Sequence, residues 1–412
     1  MEKQSPSSSR TGPPTQCSKR VSPFLLDRSQ IEKYLKDGVL VVDDILSEAE
    51  LDEAKNGLMQ SLRRRGIKSF NVDDIESALA FQKLSSTNGS GGVLDIFHDD
   101  WKLTLIATHP KLFSITQQLW KAAYNCGAQS KEALPECLKF SWHPYGEVDF
   151  DDKGYCYIDR VGYRLPTELA QEWGDRIHKH NNKINATKIT SKKKKKLRSI
   201  QRSLTPHLDC CPDSMYEKVS KWRPIQCFVS LTENLEANTG GFEAVLGGFH
   251  RTFDEWAQRR NIEPYTTNSD DDKVNRSQQA PCLGEYTHIR PREDIEVMKR
   301  IRHIPVNAGS AVFWDNRIPH ANSYRNDSRS VARAVVYASF LPDIELNRSY
   351  VKNQLKAWRL RHPIRDQWNR ISEENNGMEA EILQNRQMKE ISFNNEDIFS
   401  HIGKQLMGIK PW

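Results

Sequence analysis

His207, Leu208 and Asp209 form a His-x-Asp tripeptide, and a further histidine, His320, follows far downstream behind an apolar run carrying Phe313 and Trp314. In an extended strand residues i and i+2 project to the same face, so His207 and Asp209 can reach one ion while Leu208 turns to the opposite layer. Two imidazoles and one carboxylate occupy one face of an octahedral iron. They leave three positions open for a bidentate oxo-acid and for dioxygen. Zinc normally takes a fourth, closing ligand or a water and brings no redox chemistry. His207, Asp209 and His320 are therefore the candidate metal ligands and catalytic residues. The tripeptide alone is weak evidence, because His98-Asp99-Asp100 is a second one. The order of elements behind His207 separates the two. His178, His180, His288, His303 and His362 are read as ordinary surface or core histidines.

The elements that must carry these residues can be read from periodicity. Ile31, Tyr34 and Leu35 predict a helix from about Ser29 to Lys36, closed by Gly38. Val39 to Val42 is a β-branched strand. Ser47 and Glu50 make a capping box for a helix that runs to about Arg65 and ends at Gly66. Residues 67 to 97 are mixed, with a flexible loop over Thr87 to Gly92. Leu112, Ile115, Leu119 and Trp120 predict a helix over Lys111 to Tyr124. Short strands follow at Lys139 to His143 and Tyr155 to Ile158, then a helix over Thr167 to Lys183. Strands are expected at Ile225 to Leu231, after the turn Asn238 to Gly241 through Val245, at Ile304 to Val306, at Ser310 to Trp314 beyond a bend at Gly309, and at Arg333 to Leu341. Residues 251 to 300 form a polar insertion with a helix near its start. After Pro342 the chain is helical and charged to about Arg370, and again over Glu379 to Glu390. Many short strands with polar turns indicate a sandwich or barrel, packed on one side by helices.

Four stretches resemble the phytanoyl-CoA dioxygenase family: QIEKYLKDGVLVVDDILSEAEL, TPHLDCCPD, QCFVSLTENLEANTGGFEAVLGGFH, and AGSAVFWDNRIPHANSYRNDSRSVARAVVYASF. The resemblance covers the chain from about Leu26 to Pro342. It implies a mainly β fold with helical flanks, a double-stranded β-helix or cupin-like jelly roll. It also implies Fe(II) as cofactor, with 2-oxoglutarate and dioxygen as co-substrates and succinate and CO2 as products. The distal carboxylate of 2-oxoglutarate needs a cation, and a guanidinium fork suits it. Arg333, at the head of the last strand, matches the family position, and Arg329 is the alternative. Gln226 and Asn322 are further candidates for the co-substrate pocket. His250 and Arg251 match a family turn and hold it. The family's Pro-Gly-Ser-His is replaced here by Gly247-Gly248-Phe249-His250. On this reading residues 1–22 are a disordered tail and 23–345 the oxygenase domain. Its helical part runs to about 137 and its jelly-roll core spans 138–345, with inserts near 167–203 and 251–300. Residues 346–412 form a C-terminal helical extension.

Composition bounds the partners. The 412 residues are 37% hydrophobic and 28% charged with net charge +6, enough for a sizeable core under a well-solvated surface. No apolar run reaches the roughly 18 residues of a membrane helix, so no membrane partner is expected. The N-terminal stretch lacks the apolar segment of a secretory signal and is read as a tail in preference to a mitochondrial presequence. The eight cysteines show no CxxC spacing and read as reduced thiols of an intracellular protein, cytoplasmic or nuclear. Nine basic residues and no acidic one lie between Asn181 and Pro206, including Lys192 to Lys196. That run is read first as a solvated insert. Its rival readings are a nuclear localisation signal or a patch for an anionic substrate or nucleic acid. The expected partner is a small molecule, anionic if the basic patch guides it. An oxygenase acting on nucleic acid or protein is the first alternative, and a non-catalytic jelly-roll binding protein the second.

Overall fold

A computed structural model of the chain describes residues 24–86, 92–124, 152–184, 199–201, 205–210, 223–262, 287–328, 331–362 and 395–412. The expected tail, the loop over Thr87 to Gly91, the strand over Lys139 to His143, the basic run Lys192 to Lys196, Arg329 and the helix over Glu379 to Glu390 lie outside the described residues.

The N-terminal elements follow their local signals. Asp27 and Gln30 form a capping box for α1 (Arg28–Asp37). Gly38, at φ +74°, ends the helix by returning its N–H to the Tyr34 carbonyl. β1 (Val39–Val42) begins at once. Ser47 and Glu50 cap α2 (Glu48–Arg64) reciprocally. α3 (Ile75–Leu84), capped by Asp74, fills a stretch expected to be irregular. β2 (Val93–Leu94) and α4 (Pro110–Ala123) complete this part.

Next come β3 (Gly154–Arg164), α5 (Thr167–Ile184), β4 (His207–Leu208), β5 (Ile225–Ser230), β6 (Phe242–Val245), α6 (Phe253–Ile262) and β7 (Thr287–His288). β8 (Ile301–His303), β9 (Ala311–Asp315), β10 (His320–Asn322), β11 (Arg333–Pro342), α7 (Glu345–Arg359) and α8 (His401–Leu406) follow. The strands form two antiparallel sheets. The larger has the order β1-β9-β5-β11-β3-β2, and the smaller β7-β4-β10-β6-β8. Among the described residues more lie in helices than in strands, so the molecule is mixed α and β and not the mainly β protein expected. The surplus comes from the N-terminal helices and α7, which cover the larger sheet.

The larger sheet is buried on both faces, and the period of two shows how. Leu40, Val42, Cys227, Val229, Ala311, Phe313, Ala334 and Val336 share one hydrophobic cluster with Leu58, Phe81, Leu112 and Trp120 of the helices. Their strand neighbours Val39, Phe228, Val312, Trp314 and Val335 share a second cluster with Leu208, Phe242 and Ala244 of the smaller sheet. Aromatic rings join the sheets: Phe242 lies 4.9 Å from Trp314 and 5.4 Å from Phe228, centre to centre. Gln354 of α7 accepts from the Ile158 N–H and donates to the Cys156 carbonyl of β3, each at 2.8 Å, closing backbone groups beyond the short partner β2. Trp412 bonds the Gly154 carbonyl at 2.8 Å and rests against Phe113.

One strand is displaced from its expected place. The strand next to β6 is Ile301–His303 and not Ile304 to Val306. Pro305 has no N–H and cannot extend the ladder, so pairing stops once Ile304 has bonded the Phe242 carbonyl. Val306 instead makes an isolated bridge to Asn234.

Gly38 is where the helical layer touches the site-bearing turn. A Cβ there would meet His250 Nδ1 at 2.6 Å and Ile318 Cδ1 at 2.7 Å, on a backbone already left-handed. Gly38→Ala is expected to cost about 2–3 kcal/mol from strain and overpacking together. A thermal melt showing an unchanged midpoint would contradict this.

Candidate metal centre

β4 has only two residues, yet it is held on both sides. His207 pairs with His320 of β10 on one side and with His288 of β7 on the other. Residues directly opposite in an antiparallel pair share a face, so the two imidazoles meet, with ring centres 4.7 Å apart. Leu208 is fully buried in the apolar cluster between and behind the sheets. Asp209 lies just past the strand end and turns back toward both rings.

Backbone carbonyls set the two tautomers. His207 Nδ1 donates to the Thr205 carbonyl at 2.9 Å, and His320 Nδ1 donates to the Ile318 carbonyl at 3.0 Å. A carbonyl only accepts, so each Nδ1 carries a proton, and Nε2 is the ring atom of each imidazole turned toward Asp209. His207 Nε2 lies 3.5 Å from Asp209 Oδ1, and His320 Nε2 lies 3.5 Å from Asp209 Oδ2. One ligand atom from each of the three residues falls within 4.8 Å of the others. Burial, reinforced by His320, pushes the His207 imidazole down to about 4, so it is neutral at neutral pH. Burial opposes ionisation of Asp209, but His320, His207 and Arg223 outweigh it and hold the carboxyl well below the usual range.

The turn carrying Ile318 is braced by a buried ion pair that the residue pattern did not single out. Asp315 Oδ1 accepts from Arg317 N at 2.9 Å and Nε at 2.7 Å. Asp315 Oδ2 accepts from Arg317 Nη2 and from Tyr124 OH, both at 2.7 Å. The usable signal was an Asp-Asn-Arg triplet directly behind an apolar strand. On the other side of the site, the Thr287 hydroxyl donates to the Cys210 carbonyl at 2.8 Å and fixes the chain beyond Asp209.

The remaining candidates divide into those near the triad and those elsewhere. Gln226 Nε2 donates to Asp209 Oδ2 at 2.9 Å. Asn322, two residues along β10 from His320, donates to Tyr337 OH at 2.8 Å and accepts from Arg333 Nη1 at 2.6 Å. Arg333 is 3% exposed, and its guanidinium lies 5.0 Å from the centre of the Phe228 ring. No acidic side chain pairs with Arg333 among the described residues. Burial accordingly lowers its pKa. Arg164 faces it across the β3–β11 pair and donates to the Tyr324 carbonyl. Burial and the Arg333 charge bring Arg164 down to about 10.

The rival tripeptide is occupied otherwise. His98 Nε2 bonds the His362 carbonyl at 2.6 Å, Asp99 pairs with Arg65 at 2.6 Å, and Asp100 pairs with Arg361 at 3.2 Å. His250 Nε2 bonds the Leu35 carbonyl at 3.2 Å and ties its turn to α1. His288 bonds Thr205 Oγ1 at 2.7 Å, next to the site but outside the ligand group.

No family model and no curated protein match the sequence. By shape the chain is similar to the GlcNAc-inducible gene 2 product (GIG2, DUF1479) of Candida albicans, with TM-score 0.54 and 15% identity over 94% of this chain and 77% of that one. It is also similar to hypothetical protein JW0805 of Escherichia coli, with TM-score 0.52 and 13% identity over 93% of this chain and 81% of that one. A looser likeness is to SnoK, a non-heme alpha-ketoglutarate-dependent carbocyclase of nogalamycin biosynthesis, with TM-score 0.41 and 11% identity over 78% and 88%. At these identities the first two likenesses are of fold alone, and the third is one of general outline.

A buried guanidinium without a carboxylate is a stability cost. Arg333→Met is therefore expected to raise the melting temperature of the ligand-free protein by a few degrees, a gain of about 1–3 kcal/mol. A clear drop in calorimetry would show that Arg333 is held by the protein itself and not kept for an anion.

Proposed function

We propose that this protein is an Fe(II)- and 2-oxoglutarate-dependent dioxygenase that hydroxylates a C–H bond of a small, anionic molecule. The observation that carries the reading is the pair of Nε2 atoms, from His207 and His320, converging on one Asp209 carboxylate. The donor set fits the metal: two imidazoles and one carboxylate, without a thiolate, suit Fe(II) and leave coordination positions free. Bound there, Fe(II) would supply dioxygen activation coupled to oxidation of 2-oxoglutarate. One oxygen atom enters succinate, one enters the substrate as hydroxyl, and CO2 leaves.

The other residues have distinct roles in this reading. Arg333 binds the distal carboxylate of 2-oxoglutarate through its planar fork. Asn322 holds that fork from the strand that carries His320. Phe228, Phe242 and Trp314 line the space between the sheets and keep water from it. Thr205 and Ile318, through their carbonyls, keep both imidazoles in the ligand tautomer. The motif resemblance to the phytanoyl-CoA dioxygenase family supports the same chemistry and a jelly-roll form for the two sheets. It does not carry phytanoyl-CoA over as substrate.

Under anaerobic conditions Fe(II) plus 2-oxoglutarate is expected to give a weak visible charge-transfer band. Folded protein without the band would remove the reading. His207→Ala and Asp209→Ala should lose both the band and succinate formation. Arg333→Ala should raise the 2-oxoglutarate concentration needed for half-maximal turnover at least ~10-fold, and Arg329→Ala far less. The reverse order would move the carboxylate clamp to Arg329.

A further inference from the structure

We infer that Gln226 is a positioning residue that restricts Asp209 to one ligand oxygen, an inference that rests on the metal reading above. Gln226 sits on β5 in the larger sheet, whereas Asp209 belongs to the strand end of the smaller one. Its Nε2 reaches across and donates to Asp209 Oδ2 at 2.9 Å. Each Asp209 oxygen lies 3.5 Å from one imidazole Nε2, Oδ1 from His207 and Oδ2 from His320, and among the described residues no amide donates to Oδ1.

The amide is not there to fill space. Gln226 is 3% exposed, and its Oε1 is buried without a hydrogen-bond partner. An orphaned buried acceptor destabilises the fold, because it gives up its water without gaining a donor. A leucine or methionine would fill the same volume without that cost. Turning the amide over would aim its oxygen at a carboxylate oxygen, like against like. The observed orientation therefore answers to Asp209.

The consequence follows from counting positions. A carboxylate using one oxygen takes one position on an octahedral ion, and with two imidazoles it leaves three. A carboxylate using both oxygens leaves two. A bidentate oxo-acid would fill those two, with none left for a diatomic gas. A hydrogen bond into Oδ2 weakens it as a donor and leaves Oδ1 as the ligand. Gln226 thus keeps the third position open without touching either co-substrate.

The test compares the full-length protein with Gln226→Leu, with Gln226→Met as a second apolar replacement should the first fold poorly. Water-proton relaxation with Mn(II) reads the number of metal-bound waters, independently of turnover. The variant is expected to hold one water fewer than the parent. With Fe(II) and 2-oxoglutarate bound, nitric oxide stands in for dioxygen and gives a half-integer-spin EPR signal. Its affinity is expected to fall roughly tenfold or more, while the charge-transfer band persists. Equal hydration and equal nitric oxide affinity in folded variants would overturn the role of Gln226 and leave the oxygenase reading intact. Absence of the charge-transfer band in the parent would remove the oxygenase reading, and the Mn(II) hydration difference would still decide the role of Gln226. Absence of metal binding in the parent would overturn both.

Discussion

His207 and His320 stand opposite one another in a single antiparallel pair, and much of the molecule serves to hold that register. β4 contributes two residues and β10 three, too few to hold a register by their own ladder. The register is secured from outside. β7 closes the far side of β4, and β6 closes the far side of β10. The Asp315–Arg317 pair pins the turn from which Ile318 presents its carbonyl to His320. Because side chains alternate with a period of two, a slip of one residue would turn His320 out of the site and bring Ala321 in.

Two kinds of buried charge surround this pair, and they differ in how they are neutralised. Asp315 and Arg317 satisfy each other and Tyr124, so their burial is repaid by four hydrogen bonds of 2.9 Å or less. Arg333 is neutralised by nothing acidic among the described residues, and is supported by Asn322, Tyr337 and the face of Phe228. The first arrangement stabilises a turn. The second leaves a buried cation with no acidic partner among the described residues.

The helical layer has an indirect part in this. α1 and α4 cover the outer face of the larger sheet, and they also send Leu35 O to His250 and Tyr124 OH to Asp315. The same packing that hides Phe313 therefore fixes the turns on the inner side. Trp314, one residue on, faces the opposite way, with its ring 5.1 Å from His320.

Local physics made part of this legible in the residue string. The capping box at Ser47, the helix-ending Gly38 and the apolar runs Val39–Val42 and Ala311–Asp315 depend on neighbours a few residues away, and they lie within a residue of where the pattern put them. So does the i, i+2 relation of His207 and Asp209. α3 was not separated from its surroundings because its buried face carries Ser77 and Ala78 beside Phe81 and so gives a weak apolar period, and the strand beside β6 was misplaced because Pro305 acts on pairing and not on propensity. What only the tertiary structure decided is nonlocal: that His320 lies opposite His207 while His98 bonds a distant backbone carbonyl, that Gln226 crosses from one sheet to the Asp209 of the other, and that Arg333 is buried with no acid beside it among the described residues. A residue string carries the period of each strand, but which strands become neighbours is set by burying two faces of one sheet at once, and the convergence of the candidate metal ligands is a property of that neighbourhood.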